Sequence, residues 1–90
     1  MEALAQKQAF SNLWHKAVDA LARREHSEFE LRQKLARRMD DVDLLEDVIE
    51  ALYRDDLLSD ERFAQMLCRS RFNRGIGPVR LKHELNQHQV

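Results

Sequence analysis

Phe10, Leu13, Trp14, Ala17, Val18 and Leu21 recur at i, i+3, i+4, i+7, i+8 and i+11, the one-sided stripe of an amphipathic helix. Ser11 or Asn12 stands near the expected start of that helix. A second helix opens on a capping box: Ser27 can accept from the amide of Glu30, and Glu30 can reach back to the amide of Ser27. Leu31 and Leu35, with Phe29, form its narrow apolar face. A third helix begins at Asp41 or Asp43, whose charge suits a helix N-terminus, and carries Leu45, Val48, Ile49 and Leu52 at i, i+3, i+4 and i+7.

After the turn at Asp55 and Asp56, Ser59 caps a fourth helix with Asp60 and Glu61 in its first turn. That helix turns Phe63, Met66, Leu67 and Ser70 inward and should stop at Gly75. Gly77 and Pro78 then restart the chain, glycine at the N-cap and proline at the first helical position, where a missing N–H costs nothing. Ile76 and Leu81 are spaced as a hydrophobic staple, and Leu81 and Leu85 mark the inner face of a fifth helix.

The pattern repeats at an offset of fifty positions. Leu13 falls on Phe63, Ala17 on Leu67, Arg24 on Arg74 and Arg32 on Lys82; the caps Ser27 and Gly77 coincide, as do Leu31 with Leu81 and Leu35 with Leu85. The expected fold is therefore all-α, built as tandem three-helix repeats. Residues 1–56 form a first repeat, and 57–90 supply two helices of a second. A repeat of this kind buries its faces against neighbours, so the natural protein is expected to continue past Val90.

Composition agrees: two glycines and one proline in 90 residues leave little turn material. No apolar run reaches the roughly 20 residues of a membrane span, and the single Cys68 fits a reducing cytoplasm. The net charge of −1 conceals banding. Residues 21–38 hold six Lys/Arg against three Glu, 39–61 ten acids against Arg54 alone, and 62–90 six bases against Glu84 alone. Lys34, Arg37 and Arg38 suit the negative end of the second helix, and Arg69, Arg71 and Arg74 that of the fourth. Arg54 is expected to pair locally. The recurrence of Arg24/Arg74 and Arg32/Lys82 is not explained by helix dipoles, and periodic charge is what following a polymer requires.

Catalytic chemistry finds no footing. No phosphate-cradling glycine loop, H-x-x-x-H pair or nucleophile motif occurs. The histidines (His15, His26, His83, His88) lie apart, and Cys68 reads as a packing residue, so no cofactor or metal is expected. Trp14 and Phe10 read as core, whereas Tyr53 flanks a stripe and suits a rim.

The stretch "REHSEFELRQKL" and the later "LLSDERFAQMLCRSRFNRGIGPVRLKHEL" closely resemble the RecX family of regulators of the RecA recombinase. The matching residues are Arg24, Glu25, His26, Ser27, Glu30, Leu31, Lys34 and Leu35, then Leu58, Ser59, Asp60, Glu61, Arg62 and Phe63, then Arg69, Arg71, Gly75, Gly77 and Pro78. The resemblance implies an all-helical array, no enzymatic activity, and binding to the RecA–DNA filament that inhibits its strand exchange, ATP hydrolysis and coprotease activity. It also implies weak non-specific DNA binding and no small-molecule substrate. Members commonly place a glycine before a final isoleucine after the fifth helix, where this chain has Gln89 before Val90. Arg24, Arg32, Arg69, Arg71, Arg74 and Lys82 are the expected contact residues, chosen for charge and recurrence. The alternative is a helix-turn-helix DNA-binding module made by the fourth and fifth helices, with Arg80 and Lys82 left to contact bases.

Overall fold

A computed structural model describes residues 2–37 and 41–90. Its elements are α1 (Glu2–Arg23), α2 (Glu28–Ala36), α3 (Val42–Arg54), α4 (Asp60–Asn73) and α5 (Pro78–Gln87), with no strand among the described residues. The described residues extend over 55 × 21 × 18 Å, the proportions of a short stack of helices.

Three helix starts follow their sequence signals. Ser27 Oγ accepts from the amide of Glu30 at 3.1 Å, Asp41 Oδ1 from Leu44 at 3.0 Å, and Ser59 Oγ from Arg62 at 3.1 Å. The capping box at α2 is only half made, because the Glu30 carboxylate turns away from the Ser27 amide to Arg24. A charged guanidinium outcompetes a neutral amide as donor. α1 begins at Glu2, well before Ser11. Residues 2–10 are good helix formers without a breaker, so nothing halts the helix at Ser11, which instead bonds along it to His15.

Three helices end in Schellman turns, where the residue after the cap takes a left-handed backbone and a 6→1 bond closes the last turn. Leu57 N–H donates to Leu52 O at 2.9 Å around Asp56 (φ 58°), Ile76 to Arg71 at 3.0 Å around Gly75 (φ 75°), and Val90 to Leu85 at 3.1 Å around Gln89 (φ 58°). Gly75 is thus the expected stop of α4, one residue past its Arg74 cap.

The main core joins α1, α2 and α3: Leu13, Ala17, Leu31, Leu35, Leu45, Val48, Ile49 and Leu52, with Leu58 from the following turn. Phe10 and Trp14 stack on each other, ring centroids 6.2 Å apart, and lie partly buried against it. In α4, Phe63 and Leu67 are buried, while Met66 and Ser70 are only half-buried. α5 buries no residue. The fifty-residue offset holds in the backbone: Ser27 sits at φ −74°, ψ 158° and Gly77 at φ −75°, ψ 166°, each followed at once by the next helix. The α1–α2 and α4–α5 corners are repeat equivalents, but among the described residues only the first is covered by a third helix. Leu31 is therefore fully buried and Leu81 half-open.

Candidate functional site

Ion pairing divides the basic side chains into two groups. The first is consumed by the fold. Arg24, at the α1–α2 corner, donates from Nη1 to Glu30 Oε1 at 3.0 Å and from Nη2 to Oε2 at 2.5 Å. Arg32 donates from Nε to Glu28 at 2.8 Å, one turn back, and reaches Glu46 of α3 through both Nη atoms. Arg71 of α4 holds Glu84 of α5 with three hydrogen bonds of 2.6 to 3.0 Å. The Arg24 and Arg71 guanidiniums hold the carboxyls of Glu30 and Glu84 below the ordinary range.

A second group is open. Arg69, Arg74, Arg80 and Lys82 are exposed and make no ion pair among the described residues. Of the six expected contact residues, Arg69, Arg74 and Lys82 on α4 and α5 are thus exposed without an ion pair among the described residues, while Arg24, Arg32 and Arg71 are held in ion pairs within the stack. Arg37 is the C-cap of α2, Lys34 bonds to His26 instead, and Arg38 lies outside the described residues. Arg54, expected to pair locally, makes no ion pair among the described residues and sits in the last turn of α3, where the helix dipole offsets its charge.

Beside the open cations lies an apolar groove lined by Cys68, Phe72, Ile76, Pro78 and Leu81, with Arg69 on its edge. The staple residues Ile76 and Leu81 both face it, and Phe72 and Val79 are 80% and 84% exposed.

Sequence reasoning missed the polar seam that joins α4 to the first three helices. The Glu28 amide donates to Asp60 Oδ1 at 2.8 Å, so an acid from α4 caps α2. Arg62 donates from Nε to Glu25 at 3.1 Å and from Nη1 and Nη2 to Asp56 Oδ1 and O at 2.9 and 2.7 Å. The Tyr53 hydroxyl donates to Glu28 at 2.6 Å; burial first, and this bond next, push its pKa up. His26 is buried, its Nδ1–H donating to Arg24 O at 2.9 Å. The Arg24–Ser27 and Ser59–Phe63 stretches thus meet in space, and their chemistry is structural.

The comparisons match this architecture. A family model described as "RecX, first three-helix domain" matches residues 14–52, and one described as "RecX, second three-helix domain" matches 59–90. Among curated relatives, the Regulatory protein RecX of Halorhodospira halophila is 51% identical over 74 residues, covering 82% of this chain and 46% of the relative. Regulatory protein RecX of Pseudomonas entomophila is 42% identical over 71 residues, 79% of this chain and 46% of the relative. The chain thus spans just under half the length of these relatives. No solved structure matches it. No helix among the described residues is long and apolar enough to cross a membrane.

Proposed function

The chain belongs to the RecX family, and we propose that it acts without catalysis, in the cytoplasm, as a regulator of the RecA–DNA filament. In this reading it docks on the filament and inhibits strand exchange, ATP hydrolysis and coprotease activity, with weak sequence-blind DNA binding as a second contact. One observation carries the reading: Arg69, Arg74 and Lys82 stand uncompensated on a narrow helical stack, an arrangement fitted to an anionic polymer rather than to a small substrate. Arg24, Arg32 and Arg71 contribute by holding that stack in shape.

The test is RecA ATP hydrolysis on single-stranded DNA with the chain added in increasing amounts. Inhibition that weakens when Arg69, Arg74 and Lys82 are changed together to glutamine supports the reading. Unchanged hydrolysis at severalfold excess over filament sites overturns it.

A further inference from the structure

The two helical corners can be compared residue by residue, and their charges differ in one systematic way. At the first corner, Arg24 is neutralised by Glu30 across the turn. Fifty positions on, Arg74 occupies the place of Arg24 and Arg80 that of Glu30. The carboxylate that closes the first corner is an arginine in the second. Asp19 is likewise replaced by Arg69 and Glu28 by Pro78, so Lys82 keeps the charge of Arg32 without the acid that stands one turn before it in the first corner.

The α4–α5 corner is instead tied by Arg71 and Glu84, whose counterparts in the first corner are Leu21 and Lys34. Because that pair makes the mechanical connection, Arg74 and Arg80 are released from it. Both line a slot between the end of α4 and α5, floored by Ile76 and flanked by His83 and Gln87. Glu84, the slot's one acid, is already held by three hydrogen bonds from Arg71. Three guanidiniums against one carboxylate leave the slot with net positive charge, which favours the entry of an anion.

We infer that this slot binds a phosphate group, seated between the guanidiniums of Arg74 and Arg80. Guanidiniums present forked donors that match phosphate oxygens. Arg69 and Lys82, exposed on the same two helices, add cationic charge beyond a single anion, so a phosphodiester strand fits better than an isolated ion. The inference rests on the regulator reading only for the source of that strand, and its test contains no RecA. Loss of filament inhibition and loss of phosphate binding are therefore separate results.

The experiment uses the whole chain and a fluorescein-labelled oligothymidylate of about twenty residues, followed by anisotropy at low and moderate salt. Arg80→Glu restores the first corner's charge pattern and should close onto Arg74. It is expected to weaken binding about tenfold or more, whereas Lys7→Glu, the same charge change on α1, shifts it by about twofold or less. Arg74→Gln should weaken binding with a smaller salt slope, and circular dichroism should show both slot variants helical. A second arm titrates inorganic phosphate while following the Arg74 and Arg80 side-chain NMR signals. Response to phosphate without response to the strand assigns the slot to free phosphate. Equal losses for Arg80→Glu and Lys7→Glu, binding of neither ligand, or a stronger response to polyglutamate than to the strand each overturn the inference.

Discussion

The ammonium of Lys34 donates a hydrogen bond to Nε2 of His26 over 2.7 Å, so a buried imidazole serves as acceptor for a cation. Since Nδ1 donates to the Arg24 carbonyl, Nε2 carries no proton, and the ring is held neutral. Protonation would set an N–H against an ammonium.

This arrangement makes stability pH-dependent. Burial lowers the His26 pKa, and the charges of Arg24 and Lys34 press the same way against the opposing charge of Glu30. A depressed folded pKa gives stability that is present above the unfolded imidazole value of about 6.5 and is lost as pH falls through the folded value. Urea denaturation should show stability falling below about pH 6.5. His26→Gln should flatten that fall, after a fixed loss of about 1–3 kcal/mol for the disturbed buried hydrogen bonds. An unchanged slope in the variant would assign the effect elsewhere.

Tyr53 is the chain's single tyrosine, so its ionisation can be followed by ultraviolet absorbance without ambiguity. In the folded protein its midpoint should lie above the ordinary value of about 10, and in strong denaturant it should return there. Glu28→Gln should lower the folded midpoint by replacing a charged acceptor with a neutral one. A raised folded pKa means that the associated stability is intact below about pH 10 and fades as pH rises through the folded value.

The left-handed positions can be ranked by substitution. Gly75→Ala should cost about 1 kcal/mol through backbone strain alone, because no atom lies within 4 Å of the added Cβ. Gln89→Gly should stabilise by about the same amount, since Gln89 already sits at φ 58°. Thermal denaturation of the two variants should move in opposite directions.

Repeat-equivalent leucines should differ in cost. Leu31→Ala opens a hole in the closed core and should cost about 2–5 kcal/mol. Leu81→Ala, in the half-open groove, should cost about 1 kcal/mol, because part of its surface already meets water. Equal losses would mean that something covers Leu81 in solution.

Local signals carried much of the fold. Ser27, Asp41, Ser59 and Gly77–Pro78 each mark a helix start because a cap is chemistry between residues two or three apart. The start of α1 was misplaced because it has no such signal, only good helix formers. The seam was illegible for the opposite reason: Arg62 and Glu25 are 37 positions apart, and Asp60 and Glu28 are 32 apart. Neither periodicity nor capping rules address partners that distant. Charge and recurrence singled out Arg24 and Arg32 along with Arg74 and Lys82, yet Arg24 and Arg32 proved to be paired, because an acid's reach across a turn depends on the corner's geometry. The difference between Glu30 and Arg80 is present in the sequence, and it acquires meaning once Ser27 and Gly77 are seen to turn the chain alike.

The seam at Asp60 and Arg62 also bears on mechanics. Successive units are joined there by ion pairs and single hydrogen bonds, with Leu58 as the apolar pin. Such a joint is held by partly exposed pairs, each worth little by itself and open to exchange with water. Ionic strength would tune its compliance, stiff in dilute salt and looser as the pairs are screened.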